Sequence, residues 1–166
     1  GTGTLENQNF TTATDTFNTA LGHQAGGQVT TGVQNTLIGA LAGDAITDAD
    51  NNVAVGYLSL STNTLGSRNT AIGYAALTTA NPATAANMYN TAVGFQSGLA
   101  VSTGIRNTFL GAESGEAFTS GNDNIAIGYQ ALTADTLGSR SVAVGNNALD
   151  IQNFTTATDA YNVGVG

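Results

Sequence analysis

Asn69-Thr70-Ala71-Ile72-Gly73-Tyr74-Ala75-Ala76-Leu77 is one version of a nine-residue phrase that recurs along the whole chain. With its positions numbered one to nine from Asn69, the position-five glycines are Gly22, Gly39, Gly56, Gly73, Gly94, Gly111, Gly128, Gly145 and Gly166. They are spaced by 17, 17, 17, 21, 17, 17, 17 and 21 residues, and 21 residues before Gly22 lies Gly1. A fixed period of this size marks stacked units, none of which can bury its apolar face alone. The chain reads as one solenoid domain, residues 1–166, and is expected to be an excerpt of a longer fibrous protein.

Position four is always aliphatic (Leu21, Ile38, Val55 and Ile72 open the series), position three is Ala, Leu37, Phe109 or Gly164, and position two is Thr, Val or Ile. A short β-branched run closed by Gly reads as a strand. Alternation sets positions two and four on one face and three and five on the other. Neither face is polar, which is the pattern of a parallel strand covered on both sides. A narrow coil covers only one of them. We expect position four to be buried and the remaining apolar face to be covered by copies of the same chain around a rotation axis, giving an obligate oligomer. The fold class is all-β, a parallel β-roll or β-solenoid of 17- and 21-residue coils. Nine such coils would rise about 43 Å at the usual strand spacing.

Position eight is small in every complete copy, while position nine runs Gly26, Gly43, Leu60, Leu77, Gly98, Gly115, Leu132, Leu149. After a position-nine glycine the third linker residue is large and apolar: Val29, Ile46, Val101 or Phe118. After Leu60 and Leu132 that place holds Asn63 and Asp135, and an apolar residue follows two places later, Leu65 and Leu137. Packed interiors tolerate neither voids nor overfilling, so this reads as volume exchange between two kinds of coil. Asn at position one, replaced only by Ser141, is expected to stack into a hydrogen-bonded column or to start each turn. The position-five glycines imply a positive φ or the close approach of another backbone.

Residues 5–17 and 149–161 are near copies 144 residues apart, and a third long linker, 77–89, lies halfway, so four coils make a super-repeat of 72 residues. The composition suits a shallow core, with 22 Gly, 1 Pro and no Trp. Eleven acidic residues against Arg68, Arg106 and Arg140 give a formal charge of −8. No basic stripe is present to neutralise phosphates, so nucleic acid is not an expected partner. For the same reason no membrane contact by this segment is expected, and no run approaches the roughly 20 apolar residues of a membrane span. The chain has no Cys, which leaves neither disulfide nor thiolate chemistry.

Asn52-Val53-Ala54-Val55-Gly56 and Asn124-Ile125-Ala126-Ile127-Gly128 resemble the Asn-Ser-Val-Ala-Ile-Gly phrase in the head repeats of YadA-like trimeric autotransporter adhesins, whose coils are shorter. Asn-Thr-Ala-Ile-Gly-Tyr at residues 69–74 is also similar to repeats of phage tail-fibre-like proteins. The adhesin likeness implies an intertwined or side-by-side homotrimer. Both likenesses imply an extracellular place, on a cell surface or a virion.

His23, the sole His, has no Ser or Cys partner at a recognisable spacing and reads as a surface residue. Asp44, Asp48, Asp50, Glu113 and Glu116 are the densest carboxylates, but neither a calcium-roll nonapeptide nor an EF-hand loop is present. No catalytic residue, metal ligand or cofactor is therefore assigned, and no enzyme is expected. Tyr57, Tyr74, Phe95 and Tyr129 share position six and could stack on glycan or pack against the next coil or chain. Phe10 and Phe154 sit in long linkers, inside Asn-Phe-Thr triplets that match the glycosylation pattern. An exposed ring there would suit a partner. These six rings are the candidate surface contacts.

The reading that follows is a structural fibre or adhesin segment, a shaft or head that attaches to a surface or host cell through a glycan or protein. A repeat-surface binder of glycans or of a regular lattice is one alternative, and a virion tail-fibre shaft is another. A lattice binder should repeat Thr-x-Thr on every coil, whereas here Thr runs gather in the linkers, as at Thr11-Thr12 and Thr155-Thr156.

Overall fold

The computed structural model describes residues 1–166 and contains strands and turns but no helix. Its strands are β1 (Thr19–Leu21), β2 (Thr36–Ile38), β3 (Val53–Val55), β4 (Gly66–Ser67), β5 (Thr70–Ile72), β6 (Ala86–Asn87) and β7 (Thr91–Val93). They continue as β8 (Thr108–Leu110), β9 (Ile125–Ile127), β10 (Gly138–Ser139), β11 (Val142–Val144), β12 (Thr158–Asp159) and β13 (Val163–Val165). Positions two to four of every copy form one nine-stranded parallel sheet, in the order β1-β2-β3-β5-β7-β8-β9-β11-β13. Its register keeps the phrase in phase: Thr19 pairs with Thr36, Ala71 with Ala92 and Val144 with Val165. Two short parallel pairs, β4 with β6 and β10 with β12, tie long linkers to the coil before them. The chain is a β-solenoid of about nine turns.

Position three, not position four, faces the coil interior. Leu37, Ala54, Ala71, Ala92, Phe109, Ala126 and Ala143 are fully buried, whereas position four points outward, with Leu21 65% and Leu110 47% exposed. The expectation of a buried position four is therefore reversed. The reason is room. The interior holds position three, the small residue at eight and one larger side chain from nine or the linker, so Ala suits position three, and the aliphatics occupy the open side.

Volume exchange operates, but its main partner is position three. A Cβ on Gly26 or on Gly43 would lie 2.7 Å from a Leu37 methyl, and one on Gly98 would lie 2.9 Å from the Phe109 ring. On Gly115 it would overlap that ring outright. Position nine is left-handed whichever residue occupies it, with φ 59 at Gly115, 51 at Leu132 and 48 at Leu77. Space, rather than backbone conformation, decides between Gly and Leu there.

Leu65 and Leu137 are only half buried and lie outside the core, while the interior place is held by Asn63 and Asp135, both fully buried. Each is tolerated because its polar atoms are satisfied. Asn63 accepts from the Gly66 N–H at 2.8 Å and donates to the Gly66 carbonyl at 2.7 Å. Asp135 accepts from the N–H groups of Gly138 and Phe154 at 3.0 and 3.1 Å and from Gln152 Nε2 at 2.7 Å.

Left-handed residues at positions zero and seven, such as Gln34 (φ 60) and Gln96 (φ 52), join position nine in turning the chain sharply. Each conformer costs of order 1–3 kcal/mol outside glycine and persists because the stacked coils hold it. The corner at position zero takes the following N–H out of the backbone ladder, and the position-one asparagine repairs it. The Asn52 N–H donates to Asn35 Oδ1, Asn69 to Asn52 and Asn107 to Asn90, each at 2.9 Å. The amide nitrogen then reaches a linker carbonyl, as from Asn107 Nδ2 to Gly121 O at 2.8 Å. Ser141 closes the column by donating its N–H to Asn124 Oδ1 at 2.9 Å. At position five both expected reasons for glycine hold, since Gly39 has φ 130 and a Cβ there would lie 2.6 Å from the Gly56 carbonyl oxygen.

Candidate interaction surface

Because position three turns inward, positions two and four of every strand, flanked by zero and six, make one continuous outer face. It carries nearly all of the large apolar side chains that remain exposed, among them Leu21, Ile72, Leu110, Val144 and Val165. Ile151, off this face, is the exception. An apolar strip of this length on one side of a monomer is the signature of a contact surface.

Its trailing edge is position six. Tyr57 and Tyr74 lie 5.8 Å apart between ring centroids, tilted by 35°, and Tyr74 stacks on Phe95 at 5.1 Å and 13°. The consecutive rings form a ladder, whereas Tyr129 stands apart, with Ala112 and Asn146 on the neighbouring coils. All four rings are a little under half exposed. Phe10 and Phe154 do not join them. Both are half buried, and the Phe154 backbone is held by Asp135, Leu137 and Thr136. The exposed parts of the long linkers are their tips: residues 11–15, 83–85 and 155–157.

The leading edge, position zero, was not singled out by the repeat reading. It exposes Phe17, Tyr89 and Tyr161, each closing a long linker, and it carries all three arginines. Arg68 lies over the Tyr89 ring at 5.8 Å and Arg140 over Tyr161 at 5.4 Å, within cation–π range. Arg106 holds Asp123 through Nη2 at 2.8 Å. That hydrogen bond, with Coulombic help from Arg106 and Arg140, keeps the Asp123 carboxyl below its ordinary range. Arg140 also pairs with Asp159. Arg68 instead meets the neutral Asn87, at 3.0 Å from Nε. The signal available in the sequence was a shared phase: every Arg falls one place before the phrase.

The remaining polar candidates are dispersed. His23 is exposed. Asp48 accepts from the Thr30 and Thr31 hydroxyls, Asp50 from the Val33 N–H and Glu113 from Gln130. A cavity of about 130 Å³ near the first coils is lined by Glu6, Gln24, Gln28 and Asp44. Burial pushes the Asp44 carboxyl above its ordinary value, and its Oδ1 has no partner. No third carboxylate, His or Cys joins it to make a metal-holding group. Comparison with known protein families, curated proteins and solved structures gives no match to this chain.

Proposed function

We propose that this chain is a structural fibre or adhesin segment. In this reading it is a homotrimeric β-solenoid of 17- and 21-residue coils that serves outside the cell as a shaft or head and attaches to a host-surface glycan or protein. The observation that carries it is the outer face, aliphatic at position four on every coil and edged by exposed rings at Phe17, Tyr89 and Tyr161 on one side and at Tyr57, Tyr74 and Phe95 on the other, which water disfavours and a neighbouring copy would cover. The likeness of residues 52–56 and 124–128 to trimeric adhesin head repeats supports three copies. The phrase at 69–74 supports a virion tail-fibre shaft as the second setting for the same architecture. Position four is aliphatic where a lattice binder would place its second Thr, which disfavours that alternative.

Attachment then falls to the long-linker tips, which recur every 72 residues, about 19 Å along the stack at four strand spacings. Weak contacts at fixed intervals on three chains multiply by avidity. Segments of four and eight coils, checked as trimers by sedimentation, should differ at least tenfold in retention on intact cells or glycan arrays. Replacement of residues 155–157 by Gly-Ser-Gly should lower retention of the longer segment. Retention that ignores both changes would leave the segment a passive shaft.

A further inference from the structure

We propose that copies of this chain dock parallel and coil for coil, the position-zero row of one copy lying against the position-six row of the next. This rests on the homotrimeric reading above and adds the contact that sets its register. The outer face spans positions zero to six, roughly 20 Å at about 3.3 Å per residue, and nine strands at about 4.8 Å give roughly 40 Å of height. Its area of about 800 Å² is divided between two neighbours in a trimer, about 400 Å² to each, so the three contacts together bury roughly 2,400 Å², above the roughly 1,600 Å² of an interface of ordinary size.

Any rotation about an axis parallel to the stack that turns outer faces together sets the leading edge of one copy against the trailing edge of another. The same rotation leaves height unchanged, so the two rows meet within one coil. The side chains brought together suit each other in size and chemistry. Arg68 meets Tyr74, a cation over a ring, and Tyr89 meets Phe95, ring against ring. Asp123 meets the hydroxyl end of Tyr129, which can donate to it. Where the leading edge carries the long Gln34 and Arg106, the trailing edge carries Ala40 and Ala112. A slip of one coil toward the start of the chain would pair Arg106 with Phe95 and Arg140 with Tyr129, but it would set Asp123 on Ala112, which adds no donor to the one Asp123 has in Arg106 of its own chain. A slip the other way would set the Phe17 and Tyr89 rings on Ala40 and Ala112. Either slip would also need strands inclined by a whole strand spacing across the face.

The chain has no cysteine, which makes the test direct. Arg106→Cys with Ala112→Cys places thiols at both edges of one coil. Within a chain these edges are roughly 20 Å apart, far beyond the roughly 7 Å limit for a disulfide, so any link formed joins two copies. Mild oxidation should convert most of the protein to covalent trimer on a non-reducing gel, at least tenfold faster than the slipped pair Arg106→Cys with Phe95→Cys. Gln34→Cys with Ala40→Cys repeats the test four coils away and serves if the first variant loses its β spectrum. Faster linkage of the slipped pair overturns the register. An unlinked variant beside a wild type that sediments as a trimer overturns the row pairing alone, and a wild type that stays monomeric overturns both this and the trimeric reading.

Discussion

Phe109 and Leu110 follow one another in β8 and point to opposite sides of the sheet, Phe109 fully buried and Leu110 47% exposed. On the inner side the choice of residue is coupled coil to coil. Phe109 is flanked by Gly98 and Gly115, and Leu37 by Gly26 and Gly43, while coils with Ala126 or Ala71 carry Leu132 or Leu77 at position nine. On the outer side Leu, Ile and Val succeed one another at position four with no compensating change on neighbouring coils. A closed interior constrains volume, and an open face constrains only polarity. Both faces look apolar in composition, yet only one is a finished core.

The largest effect should come from breaking the inner rule. Gly115→Leu forces a side chain into the Phe109 ring and should cost at least the roughly 1–3 kcal/mol typical of overpacking, and Phe109→Ala should cost about 3–5 kcal/mol. Together the two changes recreate the Ala-and-Leu pairing of Ala126 with Leu132, a coil whose position nine accepts Leu at φ 51, while Phe118 stays where that coil has Asp135. The double variant should therefore lose clearly less than the sum of the singles in denaturant unfolding. Strict additivity would remove the volume-exchange account.

Breaking the outer rule at the adjacent residue should have a different signature. Leu110→Asp puts a carboxylate on an already exposed position, so the coil's own packing should change by no more than about 0.5 kcal/mol. In a trimer the same change brings three like charges under cover, where unpaired burial is costly. The expected outcome is retained β circular dichroism with dissociation on sedimentation. Loss of folded structure instead would mean that the coil cannot stand without its neighbours.

The solenoid was legible because the same phrase repeats: each copy confirms strand, turn and glycine, and the equal register leaves little choice of topology. Which face turns inward was not. An alternation of period two distinguishes two faces without orienting them, and here both are apolar. The orienting clue lay in size, since position three is Ala wherever position nine is Leu in a complete coil, and Leu37 and Phe109 sit between glycines. The position-zero edge escaped for the opposite reason. Its residues change from coil to coil, and periodicity finds only what stays the same. Asn63 and Asp135 misled because a buried polar side chain can replace an apolar one when its partners are in place, and those partners are backbone groups of Gly66, Gly138 and Phe154 and the Gln152 amide, which residue type and periodicity do not announce.

The smallest effect concerns the leading edge, where the two super-repeats differ in charge: Arg106 and Asp123 stand where the earlier one has Gln34 and Asn51. Hydrogen bonding to Arg106 lowers the Asp123 pKa from 3.8. For a carboxyl whose folded value is depressed, the stabilisation is complete above the unfolded value and is lost as pH falls through the folded one. Asp123→Asn should therefore lower the thermal midpoint slightly at neutral pH and leave it unchanged once the medium is acid enough to protonate Asp123 in the folded chain. An exposed pair is screened, so the difference should also fade in molar salt. The pair thereby tests the comparison of faces. A neutral-pH difference that survives molar salt would mean that Arg106 and Asp123 are shielded by a neighbouring copy, and that the outer edge, open in the single chain, is closed in the proposed assembly.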